Sequence, residues 1–193
     1  MPKPVRKISR SNHTRFRDDH RFEHWLIDRR VYFITARCRD RYPAFLTEEA
    51  KSVFWDRFGH YTEQFGFTPW VTTLLHNHYH TLGFLETGEQ LPKLMQRLHG
   101  SVAKLVNDLL PDRLVPFFRD ARGKEYFDGA IRDQNQLVRA YRYTTLQAQK
   151  ARLVQDWQTY PHTRVGVSLS DAVRFADEND GYLKGIRYKR YEC

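Results

Sequence analysis

Residues 67 to 85 read Phe-Thr-Pro-Trp-Val-Thr-Thr-Leu-Leu-His-Asn-His-Tyr-His-Thr-Leu-Gly-Phe-Leu. Phe67 to Leu75 and His78 to Leu85 are rich in β-branched, aromatic and other apolar residues, and only His76 and Asn77 separate them. Two such runs joined by so short a link predict a β-hairpin with its turn at or near His76-Asn77. Along a strand, residues two apart share a face. His78 and His80 therefore present their imidazoles side by side, while Tyr79 points into the opposite layer. Two adjacent imidazoles are a natural start for a divalent-metal site. Taken alone, such a pair more often serves packing or faces solvent. The literal triplet His76-Asn77-His78 does not suggest an HNH nuclease, because that site spreads its residues over a ββ-metal-helix unit.

Outward from this hairpin the pattern alternates. Arg30 to Cys38 is β-branched and aromatic, a first strand that Pro43 ends. Thr47 followed by Glu48 and Glu49 is a helix N-cap with acids in the first turn, and the helix runs to about Gln64 before Gly66. After the hairpin, Leu91, Leu94, Met95, Leu98, Val102, Leu105, Val106 and Leu109 recur at helical spacing, so a second helix spans about 91 to 110. Lys124 to Ile131 reads as a fourth strand. Asp133 begins a third helix that runs through Tyr143 towards Leu153, residues 159 to 163 form a loop, and a short helix lies near 169 to 176. The order β-α-β-β-α-β plus a further helix is the split βαβ pattern of a ferredoxin-like fold. The expected class is α+β, an antiparallel sheet with helices on one face and a C-terminal helix bearing tyrosine. Three segments follow: a basic arm over 1–28, a main domain over 29–165 and a basic extension over 166–193.

The 193 residues suffice for one domain with a sizeable core, and 40% hydrophobic and 15% aromatic content indicate a folded chain. A net charge of +9 with a pI near 9.7 favours a polyanionic partner, nucleic acid first. Two cysteines, Cys38 and Cys193, make neither a disulfide framework nor a zinc cluster, which suits a reducing cytoplasm. No apolar run is long enough for a transmembrane helix, and the basic N-terminus lacks the apolar segment of a secretory signal.

The third helix contains Tyr141-Arg-Tyr143-Thr-Thr-Leu-Gln147. Residues i and i+4 share a helix face, so Tyr143 projects with Gln147 and Tyr141 with Thr145. A glutamine amide oxygen is the better metal ligand, which selects Tyr143 over Tyr141 as the candidate nucleophile. With these residues in view, His78-Tyr79-His80 on a strand and Tyr143 with Gln147 on a downstream helix resemble the HUH single-tyrosine transposases, in which the residue between the histidines is bulky and hydrophobic. The nearest likeness is to the REP-associated tyrosine transposases. Tyr126-Phe-Asp-Gly-Ala-Ile-Arg-Asp133 and Trp157-Gln-Thr-Tyr-Pro-His-Thr-Arg164 look like the matching stretches of that group. The resemblance spans about 30 to 165. It departs at one point: many relatives carry an Asn-Pro-Val-like run on the tyrosine helix with Asn as the third ligand, where this chain has Gln147-Ala-Gln-Lys. Gln is the ligand in other branches of the superfamily.

The resemblance implies Mg²⁺ or Mn²⁺ held by His78, His80 and the Gln147 side-chain oxygen, with Tyr143 attacking a phosphodiester to give a 5′-phosphotyrosine and a free 3′-OH. It implies single-stranded DNA beside imperfect hairpins as substrate, and either a monomer or a homodimer. The candidate DNA contacts are Arg15 and Arg17 in the arm, Arg97 and Lys104 off the apolar stripe of the second helix, Arg119, Arg122 and Lys124, and Lys184, Arg187, Lys189 and Arg190 in the tail, where Tyr188 and Tyr191 are placed to stack on bases. Two other readings stand beside this one. One is an HUH nicking enzyme of replication-initiator or relaxase type. The other is a hairpin DNA- or RNA-binding protein without retained catalysis.

Overall fold

A computed structural model describes residues 26–178. Thr47 accepts a hydrogen bond from Ala50 N, and the helix it starts, α1 (Glu48–Gln64), ends before Gly66, whose φ of 68° carries the chain back towards the sheet. The strands are β1 (Arg30–Arg37), β2 (Phe67–Leu74), β3 (His78–Leu85), β4 (Tyr126–Ala130) and β5 (Thr163–Val165). The remaining helices are α2 (Gln90–Asn107), α3 (Gln134–Thr145), α4 (Gln147–Lys150) and α5 (Leu169–Glu178). The sheet order is β4-β1-β3-β2-β5 and every pairing is antiparallel. The first four strands have the ferredoxin-like arrangement expected for β-α-β-β-α-β.

Strand alternation divides the core into two layers. Tyr32, Ile34, Ala36, Leu74 and Tyr79 face α1 and α2, meeting Phe54, Phe58, Leu94 and Leu98. Val31, Val71 and Leu82 face the other way, towards Leu137 and Tyr141 of α3 and Ala172 and Ala176 of α5. A register shift between Pro69 and Val71 puts Trp70 on this second face beside Val71. The helices are thus split: α1 and α2 cover one face, and the tyrosine-bearing α3 covers the opposite one together with α5. The six buried members of the α2 stripe lie where its helical spacing puts them, but Leu105 and Leu109, the latter beyond the helix end at Asn107, are exposed.

Two features depart from expectation. The third helix does not run unbroken towards Leu153; it stops at Thr145 and resumes as the single turn α4. The segment after it is not all loop, because Thr163–Val165 adds a fifth strand to the β2 edge. Leu74 N donates to His162 O at 2.9 Å and the Tyr160 hydroxyl donates to Leu74 O at 3.0 Å, which fastens this strand in place. Three residues carry no readable period, so long-range bonds rather than pattern define β5. Within the segment expected as an extension, α5 buries Ala172 and Ala176 in the same core as α3.

Candidate functional site beneath the tyrosine helix

The hairpin and β1 bring the histidines together. In register, Arg37 lies opposite His78, Thr35 opposite His80, and Thr73 of β2 opposite His80 on its other side. The two imidazole centroids are 5.0 Å apart and their planes nearly perpendicular. Phe33 stacks on His80 at 5.8 Å with planes 6° apart. Tyr79 is fully buried on the reverse face, where its hydroxyl meets His99 Nε2 at 2.8 Å and His99 Nδ1 meets Glu125 at 2.7 Å. It is a spacer that anchors the strand, and it does not reach the face where its neighbours meet.

Each imidazole is held by its Nδ1. The Asn77 amide nitrogen donates to Arg41 O at 2.9 Å, so its Oδ1 faces His78 and accepts from Nδ1 at 2.6 Å. That bond leaves the lone pair of His78 on Nε2. His80 Nδ1 contacts the Thr35 hydroxyl at 2.7 Å. Its Nε2 is buried with no hydrogen-bond partner among the described residues. An orphaned buried nitrogen is costly, by about 1–3 kcal/mol, unless a ligand meets it. Burial lowers both histidines: His78 falls to about 4, helped by Arg37 and Arg41, and His80 lies well below its ordinary value, helped by His78, Arg37 and Lys150. Both are neutral at physiological pH, the form that ligates a metal.

The C-terminal end of α3 lies over this pair. Its start is set by Asp133, which accepts from Gln136 N at 2.7 Å, and its end is tied to the sheet where the buried Thr73 hydroxyl donates to Thr144 O at 2.8 Å. Tyr143 is 43% exposed, whereas Tyr141 is 5% exposed and spends its hydroxyl on Val167 O at 2.9 Å. Only Tyr143 has a ring at the site, 5.1 Å from the His80 ring and 5.8 Å from Phe33. Gln147 is buried, and its Nε2 donates back to Tyr143 O at 2.8 Å, so the amide oxygen is the atom left to act as a ligand. Among the described residues there is no cluster of three or more His, Cys, Asp or Glu suited to a metal. The two adjacent imidazoles offer nitrogen donors of the kind that suit a borderline divalent ion.

Sequence reasoning missed three cations. The Lys150 ammonium lies 4.5 Å from the centroid of the Tyr143 ring. It is seven residues beyond Tyr143, two turns along the same face, and that spacing was the available signal. Arg37 and Arg41 surround His78 through strand pairing and a 3₁₀ turn, which no local pattern announces. The expected DNA contacts divide. Arg119, Arg122 and Lys124 sit on the exposed turn before β4, and Arg119 N donates to Arg37 O at 2.9 Å, at the His78 end of the sheet. Arg97 and Lys104 are exposed on α2, on the opposite face from Tyr143. Arg15, Arg17, Lys184, Arg187, Lys189 and Arg190 lie outside the described residues.

A five-stranded antiparallel α+β sheet with paired histidines beneath a tyrosine helix defines the architectural class. No family model and no curated protein sequence matches the chain. Among solved structures it is similar to a REP-associated tyrosine transposase bound to a REP hairpin, with a TM-score of 0.60 and 14% identity over 78% of this chain and 82% of the other. A candidate transposase of Deinococcus radiodurans R1 superposes more loosely, with a TM-score of 0.40 and 13% identity over 67% of this chain and 88% of the other. The first likeness shows a shared fold: the chain has the architecture of that REP-associated tyrosine transposase. No described helix is long and apolar enough to cross a membrane.

Proposed function

We propose that this protein cleaves and rejoins single-stranded DNA at hairpins through a covalent bond to Tyr143, using Mg²⁺ or Mn²⁺. One observation carries the reading: the exposed Tyr143 ring stands 5.1 Å from His80, whose buried Nε2 has no partner among the described residues. His78 Nε2, His80 Nε2 and the Gln147 amide oxygen would hold the metal. When bound, it supplies Lewis acidity to a phosphate and orients it. Asn77 and Thr35 keep the imidazoles turned towards it, and Phe33 holds His80 in plane.

Tyr143 Oη gives up its proton as it bonds to phosphorus. The P–O3′ bond breaks, leaving a 5′-phosphotyrosine and a 3′-OH. The tyrosyl ester keeps the phosphodiester energy, so an incoming 3′-OH restores the strand and releases the phenol. Lys150 supplies positive charge beside the ring as the phenol loses its proton. The turn carrying Arg119, Arg122 and Lys124, with Arg37 and Arg41, forms a basic rim beside the histidines that suits a phosphate backbone. The structural neighbour with a bound REP hairpin supports a hairpin as the DNA form.

The test is a denaturation-resistant adduct on a labelled single-stranded hairpin with Mg²⁺ or Mn²⁺. Wild type is expected to form it, and Tyr143→Phe and His80→Ala to lower its rate by at least about a thousandfold. If Tyr141→Phe abolishes the adduct and Tyr143→Phe does not, the nucleophile is misassigned. Tight hairpin binding without any adduct on any hairpin would make the protein a binding module.

A further inference from the structure

A cavity of about 290 Å³ opens beside Tyr143, between the β1–β4 edge of the sheet and α3. Phe33 and Phe127 form two of its walls, with ring centroids 6.2 Å apart and planes at 62°. Gly129, in register with Phe33, lines it as well. A Cβ at Gly129 would stand 3.3 Å from Phe127 Cζ, so the glycine keeps the space beside that ring open. The polar lining comes from Gln136, Arg139 and Tyr143 of α3. Gln136 Oε1 already accepts from Arg132 N at 2.9 Å, which leaves its NH₂ as the available group. Arg139 is exposed and makes no ion pair among the described residues. Arg139 therefore offers donors alone, and Gln136 offers its NH₂ beside an oxygen already engaged.

We infer that this cavity takes one unstacked nucleobase of the substrate strand, close to the bond cleaved, and that it prefers a keto base, guanine foremost. The inference rests on the strand-transfer reading for what lies next to it, Tyr143. Aromatic walls replace the stacking that a base loses on leaving its strand. The Arg139 fork matches the O6 and N7 acceptors of guanine. Adenine and cytosine bring an exocyclic amino group, which the donor-only Arg139 fork cannot accept. A cavity of this size, at the small end of ligand sites, has room for one base.

The experiment uses the full chain carrying Tyr143→Phe, so that binding is read without cleavage. Hairpin oligonucleotides with single-stranded flanks are scanned by placing an abasic site at each flank position in turn. One position is expected to lose at least about tenfold in affinity, with guanine there binding best and adenine and cytosine worst. Adding Arg139→Ala, an exposed change, is expected to erase the preference at that position and leave the others as they were. A flat scan, or a preference untouched by Arg139→Ala, overturns the pocket. Adduct formation by wild type reports separately on strand transfer. An adduct with a flat scan sinks the pocket alone; base-selective binding that responds to Arg139→Ala, with no adduct, sinks strand transfer and leaves the pocket standing.

Discussion

Lys150 holds its ammonium 4.5 Å from the centre of the Tyr143 ring, and the two residues sit on either side of the break at Leu146. A cation there favours negative charge on the phenol oxygen in the transition state. Lys150→Ala is expected to slow adduct formation by about tenfold or more, with Lys150→Arg recovering most of the rate; equal rates in all three proteins would remove Lys150 from the chemistry. The histidines make a second prediction at this scale. Burial lowers His78 from 6.5 to about 4, and His80 and His99 shift the same way. The unfolded chain therefore binds protons more readily than the folded one. The stability this protects is complete above pH 6.5, the unfolded value, and is lost as pH falls towards about 4. Thermal melts without added metal should show Tm dropping steadily from about pH 6.5 to about 4.5. A flat Tm across that window would contradict the burial of these imidazoles.

The placement of Tyr143 depends on how α3 meets the sheet. Thr73 sits opposite His80 in the ladder and donates to Thr144 O, so one buried hydroxyl couples the histidine row to the tyrosine helix. Thr73→Val keeps the shape and removes the donor, leaving a buried carbonyl short of a partner. The expected cost is about 1–2 kcal/mol of stability, measured by denaturant unfolding, together with reduced adduct yield at full folding. Stability loss with unchanged yield would mean that α3 is positioned by packing alone. The break between α3 and α4 belongs to this scale too. Helical periodicity runs smoothly through Leu146, so the sequence predicts one helix; the turn at Leu146 is visible only once the Gln147 amide is seen donating back to Tyr143 O.

Across the whole molecule the charge of +9 becomes a question of sides. Arg37, Arg41 and the Arg119–Lys124 turn share the histidine end of the sheet, while Arg97 and Lys104 lie beyond it on α2. Hairpin affinity should fall linearly on a log–log salt plot. Replacing Arg119, Arg122 and Lys124 together by Ala should flatten the slope by roughly 0.7 for each phosphate that is no longer neutralised. The pair Arg97→Ala and Lys104→Ala should leave the slope unchanged if the strand stays on the Tyr143 face. A slope reduced equally by both sets would mean that DNA wraps around the sheet.

The succession of the first four strands and their helices, the hairpin at His76-Asn77, and the shared face of His78 and His80 were all legible in the sequence. Each rests on a local period or on spacing within one element, and local geometry is what a sequence states directly. The sequence could not state which face α3 would cover, that Phe33 and Thr35 would brace His80, or that Lys150, Arg37 and Arg41 would surround the pair. Nor could it announce β5 or the cavity beside Tyr143. Those depend on packing between residues far apart in the chain, made by laying two helical layers on opposite faces of one sheet. The tertiary fold therefore turned two histidines on a strand into a site with a tyrosine above it.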